Sequence, residues 1–327
     1  MRNLTYKDAL NEALFQAMRI DQDVFVLGED VGVYGGGFGA TAGLLDEFGE
    51  ERVIDTPISE NGFCGMAIGS AIMGLKPVCE LMFADFLSLG FDPIVNTGAK
   101  LKFTYGDSYK DKKITAVFRG ASGAGTSASA QHSQSVESWF MGVSGINIIS
   151  PSNAYDAKGL LLSAINSDGI TIFLEPKALY NSSCHVPEES YYLPIGKADL
   201  KRQGSDLSII TYGRMTSLAL ELSLELEKLG VSAEVLDLCS LKPLDEEAIL
   251  KTAQKTGRVL LISDAPKTGS VLSEVSAIIS EKAFSFLKAP IKRLAGKDTP
   301  VPYSKPLENA YIPSKDEILR QCLELVK

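Results

Sequence analysis

The sequence predicts an α/β protein of two domains. Three observations carry that expectation. Short apolar runs of strand character alternate with helical patterns along the chain. The alternation breaks once, at a polar, proline-containing stretch near residues 180–204, and then restarts. The length of 327 residues suffices for about two cores.

In the first half, "TYKDALNEALFQAMRID" places Ala9, Leu10, Ala13, Leu14 and Met18 at helical spacing. "VFVLGED" is a short strand that ends in acids. "GFCGMAIGSAIMG" reads as a helix of small residues packed closely on its neighbours. "KPVCELMFADF", "ITAVFRG", "INIISPS" and "ITIFLEP" contain strands, and "AYDAKGLLLSAINS" is a helix. Continuous apolar strands between helices indicate a parallel sheet covered on both faces. After the break, "LSIITYG", "SAEVLDL" and "RVLLISD" read as strands. "MTSLALELSLELEKLG", stopped by Gly230, "DEEAILKTAQKTG" and "SVLSEVSAIISEKAF" read as helices. The tail "DTPVPYSKPLENAYIPS" is proline-rich and reads as extended. The expected division is residues 1–185, a linker at 186–200, and residues 201–327.

The net charge of −9 speaks against a nucleic-acid footprint, which needs a basic face. No apolar run of membrane-spanning length is present, and the start "MRNLTYKDALNEAL" has no secretory core, so neither a membrane association nor an export signal is expected. The five cysteines, Cys64, Cys79, Cys184, Cys239 and Cys322, are scattered and form no CxxC pair. Reduced thiols in a cytoplasmic protein, with no disulfide framework or metal site, are the expectation.

Four stretches could carry chemistry. "YGGGFGA" formally satisfies GxGxxA, but its glycines are displaced from the strand that ends near Leu27, so a nicotinamide site is not expected there. "GDSY", from Gly106, reads as a surface turn. In "DTPISENGFCG", Glu60 opens an apolar, glycine-rich helix. It fits either an acid that favours the helix dipole or a partly desolvated carboxyl able to share a proton with a ligand nitrogen. Met82 and Phe86 in "MFADF" fit core packing as well as ligand contact. His132, one of two histidines, follows the small-residue run "GASGAGTSASA" and fits an incidental polar loop or an acid/base group at the mouth of a cleft.

Together, "ERVIDTPISENGFCGMAIGSA", "KPVCELMFADF", "AQHSQS", "PSNAYDAKGLL" and "DTPVPYSKPLENAYIP" resemble the beta subunit of the thiamine diphosphate-dependent first component of 2-oxo acid dehydrogenase complexes. The resemblance runs nearly end to end. "PVCELMFADF", "TYGRM" and "YIPS" look most like the acetoin dehydrogenase type, with the pyruvate and branched-chain types next.

It implies a transketolase-like pyrimidine-binding domain followed by a transketolase C-terminal-like domain. It also implies an alpha2beta2 heterotetramer whose alpha subunit carries magnesium and the diphosphate motif, and a lipoyl-bearing acyltransferase core as acceptor. By resemblance, Glu60 faces N1′ of the aminopyrimidine, Met82 and Phe86 wall that ring, and His132 assists proton transfer and orients the lipoyl dithiolane. The chain departs from the family's pattern at Pro93, Ala121 and Cys239. A non-catalytic assembly subunit is the reading from a different class.

Overall fold

The computed structural model describes residues 2–109 and 111–327, which form two compact units. The first contains the residues up to Ser122 together with Phe140–Glu175 and Leu179–Ile195. The second contains Gly123–Trp139, Pro176–Ala178 and Gly196–Lys327. The division is therefore not a single cut in the sequence.

In chain order the elements begin with β1 (Asn3–Thr5), α1 (Tyr6–Ile20), β2 (Val24–Gly28), α2 (Leu44–Phe48), β3 (Val53–Asp55) and α3 (Glu60–Ile72). They continue with β4 (Lys76–Leu81), α4 (Leu101–Tyr105), β5 (Thr115–Ser122), α5 (Glu137–Met141), β6 (Ile146–Ile149), α6 (Ala154–Asn166), β7 (Gly169–Pro176) and β8 (Ser183–His185). The main strands of the first unit run in the order β6-β7-β5-β4-β2-β3. β2 pairs in parallel with β3 and β4, β4 with β5, and β6 with β7. Val24–Gly28 is buried throughout, as a strand covered on both faces must be.

α1 forms because its apolar residues recur at three and four positions. It buries Tyr6, Ala9, Leu10, Ala13, Leu14, Ala17 and Met18. Thr5 caps it by accepting from the Asp8 amide at 3.1 Å, and Asn153 caps α6 by accepting from the Asp156 amide at 2.8 Å. α1 packs on α6, and both meet the end of the unit's chain through Lys158. That side chain is fully buried. Its ammonium donates to Glu12 Oε1 at 2.6 Å and to the carbonyls of Pro187, Glu188 and Glu189 at 2.7, 3.1 and 3.0 Å. A buried ammonium persists only with such a full set of acceptors. β1 and β8 add a small antiparallel pair with Asn3 opposite His185.

The second unit is built from β9 (Asp199–Arg202), β10 (Leu207–Thr211), α7 (Met215–Lys228), β11 (Ala233–Asp237), β12 (Ser240–Lys242), α8 (Glu246–Thr256), β13 (Val259–Pro266), α9 (Val271–Lys282), β14 (Lys292–Gly296), α10 (Lys305–Tyr311) and α11 (Lys315–Val326). Its sheet runs β14-β13-β10-β11-β9. The first four strands are parallel and β9 is an antiparallel edge. α7 ends two residues before Gly230, whose φ of 78° suits a left-handed stop. Asp245 and Ser314 cap α8 and α11 by accepting from Ala248 and Glu317 amides. The tail expected to be extended instead contains α10. Pro306 sits in its first turn, where a missing N–H costs no helical hydrogen bond.

Candidate active site

β2, β3 and β4 are parallel neighbours, so their carboxyl ends lie along one edge of the first sheet. Glu29 directly follows β2, Met82 directly follows β4, and α3 with Glu60 at its head follows β3. In parallel α/β sheets this edge is where ligands bind. Gly28 keeps the edge tight. A Cβ there would lie 2.3 Å from the Glu80 carbonyl oxygen, so β2 and β4 approach only because the residue is glycine.

Glu60 is the first residue of α3 and is 7% exposed. The N-cap before it, Ser59, makes no side-chain capping bond. The first turn of α3 meets the segment after β4. The Asn61 side-chain Nδ2 donates to the Leu89 carbonyl at 3.5 Å, and Gly90 packs where a Cβ would be 2.5 Å from Cys64 Sγ. The structure thus brings Glu60 and the Met82–Phe86 segment to one edge of one unit. Met82 and Phe86 are half-buried. Met82 Sδ lies 2.5 Å from where a Cβ on Gly37 would be, so the glycine-rich loop seats this side chain. Phe86, Phe83, Phe38 and Tyr180 form a ladder of rings with successive centroid separations of 6.3, 5.5 and 4.9 Å. "YGGGFGA" is thus a loop that closes around side chains rather than a strand-to-helix turn.

Glu29, which in the sequence reads only as an acid closing a strand, lies at this edge. Glu29 has a buried Oε1 with no hydrogen-bond partner among the described residues. Burial pushes its carboxyl up, and the negative charges of Glu60 and Asp30 add to that. Asp30 beside it is held at φ 55°, a left-handed conformation uncommon for a residue with a side chain.

Beneath this edge lies a buried ion cluster. Arg119 donates to Glu175 from Nε at 2.6 Å and from Nη2 at 2.9 Å, and from Nη1 to Glu80. The Tyr180 hydroxyl donates to Glu175 Oε2 at 2.7 Å. Burial pushes the Glu80 carboxyl up despite Arg119, and the Gly37 amide donates to it as well. The cluster therefore grips the glycine-rich loop that seats Met82.

His132 belongs to the second unit, on the segment Gly123–Trp139. It is half-buried, and its backbone amide donates to the Ser129 carbonyl at 3.3 Å. Within that unit the segment borders a cavity of about 540 Å³, lined in part by Gln131, Gln134, Trp139, Asp298, Val301 and Tyr311. That volume is within the range of small-molecule sites. Near its end the segment carries buried Glu137, which accepts from the Tyr212 hydroxyl at 2.6 Å. Burial is the main cause that raises the Glu137 carboxyl to about 7, with Asp264 adding its charge. "GDSY" forms a short 3-10 turn, Gly106–Tyr109, with no buried residue.

Residues 2–183 match the transketolase pyrimidine binding domain, and residues 196–318 match the transketolase C-terminal domain. A split-gene transketolase, described as an inactive beta4 tetramer, superposes with a TM-score of 0.80 at 21% identity, covering 99% of both chains. Transketolase from Campylobacter jejuni gives 0.72 at 16% identity, over 99% of this chain and 47% of its own. These likenesses define the class as a transketolase-type protein with a pyrimidine-binding domain and a C-terminal domain.

The relatives are closer. The acetoin:2,6-dichlorophenolindophenol oxidoreductase subunit beta of Bacillus subtilis is 43% identical over 99% of this chain and 98% of its own. The 2-oxoisovalerate dehydrogenase subunit beta of the same organism is 45% identical over the whole of both. The pyruvate dehydrogenase E1 component subunit beta of Gracilaria tenuistipitata is 42% identical over 98% of both. The chain belongs to the family of beta subunits of acetoin and 2-oxo acid dehydrogenase first components, which are oxidoreductases.

Proposed function

We propose that this chain is the beta half of a thiamine diphosphate-dependent first component that acts on acetoin or a short 2-oxo acid. It works as an alpha2beta2 heterotetramer whose alpha subunit holds magnesium and the diphosphate, and it passes the acyl group to lipoyl-lysine of an acyltransferase core in the cytoplasm. Glu60 carries the reading. It is a buried carboxyl at the carboxyl edge of a parallel sheet, beside Glu29, whose buried Oε1 has no hydrogen-bond partner among the described residues, with half-buried Met82 and Phe86 on the same edge. That donor set fits an aminopyrimidine, whose ring nitrogen can share the carboxyl's proton and whose faces are apolar.

When bound, thiamine diphosphate supplies a carbon nucleophile and a sink for the electron pair released as a C–C bond breaks. The side chains of this chain do the rest. Glu60 holds a proton at the pyrimidine nitrogen N1′. Glu29, pushed up by burial with the charge of Glu60 adding to it, lies at the same edge. Met82 and Phe86 cover the ring and exclude water. His132 delivers a proton at the acyl acceptor and orients its dithiolane, work typically worth about 10²–10⁴-fold in rate.

Identities of 43% and 45% to the acetoin and 2-oxoisovalerate relatives are too close to choose between substrates, so the assay must. The purified chain is combined with its alpha subunit. Dye reduction is then followed with acetoin, pyruvate and 2-oxoisovalerate, with and without thiamine diphosphate. The expected result is turnover of at least one substrate that needs both subunits and the cofactor. Turnover by the beta chain alone, or with none of the three, overturns the reading.

A further inference from the structure

The loop that presents His132 has almost no regular structure, yet it is held at several points. At its base the Gly123 amide donates to the Gln134 carbonyl at 3.0 Å. From Gly123 onward the backbone takes left-handed conformations four times, with φ of 82° at Gly123, 109° at Gly125, 55° at Ser127 and 69° at Ser129. The two serines hold such angles only because their surroundings over-determine them. Alternating left-handed residues turn successive amides inward, which makes a concave anion receptor.

The anion in that receptor is Glu308, fully buried, on α10. Its Oε1 accepts from the Gly125 amide at 2.6 Å, and both oxygens accept from the Ser127 amide, at 3.1 and 3.0 Å. Oε2 also accepts from the Ser127 hydroxyl at 3.1 Å. Lys305 closes the arrangement, donating to Glu308 Oε2 at 3.3 Å and to the Gly125 carbonyl at 3.0 Å. Arg214 donates to the Ala124 carbonyl at 3.2 Å, and Lys177 donates to that of Gly123. Burial opposes ionisation of Glu308, but the Gly125, Ser127 and Lys305 donors outweigh it and hold the carboxyl below its usual range.

We propose that Glu308 is a positioning residue. Its carboxylate pins Gly125 and Ser127, and through the turn at Ser129 it sets where His132 is presented to the acyl acceptor. This rests on the reading of His132 given above. A neutral or truncated side chain at 308 would leave inward-pointing amides without their acceptor, and the strained serines would relax. The imidazole would then be delivered over a range of positions, although the cofactor-facing edge of the first unit is untouched.

The test uses the complex reconstituted with the alpha subunit and compares Glu308→Ala, Glu308→Gln and His132→Gln. Hydrogen exchange at the Gly125 and Ser127 amides is measured. So are two rates, dye reduction and acyl transfer to free lipoamide. For Glu308→Ala, exchange at both amides accelerates and acyl transfer falls by about 10²-fold, the scale set by misplacing a catalytic group, while dye reduction stays near wild type. Glu308→Gln keeps one acceptor oxygen and falls between. If Glu308→Ala yields no assembled complex, Glu308→Gln decides on the same readouts. Unchanged exchange, or equal loss of both rates, overturns the proposal. If His132→Gln loses acyl transfer and the Glu308 variants do not, the positioning role fails alone. If His132→Gln transfers normally, the reading of His132 fails and takes the proposal with it.

Discussion

Glu60 and His132 are held by opposite means. Glu60 heads a helix of 13 residues at the edge of a parallel sheet, and the sheet's own register brings Glu29 and Met82 to the same edge. His132 lies on a segment fixed by side chains reaching in from distant parts of the sequence: Glu308, Arg214, Lys177 and Tyr212. In the proposed function Glu60 keeps one proton at one fixed ring atom, a role that gains from a rigid backbone. A group that meets an incoming acceptor can sit on a loop, provided the loop is pinned. The two regions also use carboxyls differently. Glu308 is held ionised by the donors around it, whereas burial drives Glu137 toward its neutral form.

Glu60→Ala in the reconstituted complex should lower dye reduction by about 10²–10⁴-fold, with the complex still assembled. Because dye reduction and acyl transfer both draw on what C–C cleavage leaves behind, both rates should fall, unlike the split expected for Glu308 variants. A silent substitution would favour a purely architectural beta chain.

Arg119→Met probes what lies beneath that edge. It leaves Glu80 and Glu175 buried without their cation, a loss of about 3–5 kcal/mol by analogy with broken buried ion pairs. Thermal melts should show a lower midpoint than wild type. Equal midpoints would mean that the cluster does not support the fold.

Glu137→Gln sharpens the other side and has a definite sign. The Glu137 carboxyl is raised in the folded protein to about 7. Its proton therefore favours the folded state below the ordinary carboxyl range, and this contribution is lost as the pH rises through about 7. Wild type should lose about 3 kcal/mol of stability relative to the glutamine variant between pH 4 and pH 8. Denaturation at both pH values checks this. A constant difference would show that Glu137 does not titrate there.

Strands such as "VFVLG" and "ITIFLEP" were legible because burial on both faces demands unbroken apolar runs. α1 was legible because its buried residues follow the helical period. α10 was not, since the prolines around "KPLENAY" suggest extension, while one in a helix's first turn is compatible with it. The carboxyl at Glu60 stood out as the single acid opening an apolar helix. Glu29 did not, because acids that close a strand look like an ordinary solvated turn. What distinguishes it is a buried oxygen and a neighbouring charge contributed from across the sheet. Glu308 gave no local signal at all, because its partner Gly125 lies 183 positions away.

Lys158 has a practical consequence for dissecting the molecule. The match to the pyrimidine binding domain stops at residue 183, yet the ammonium of Lys158 takes three of its four acceptors from residues 187–189. A fragment trimmed at the last matched residue would leave the buried Lys158 ammonium with Glu12 alone of its four acceptors. The shortest first half with a chance of standing alone must therefore run past Glu189.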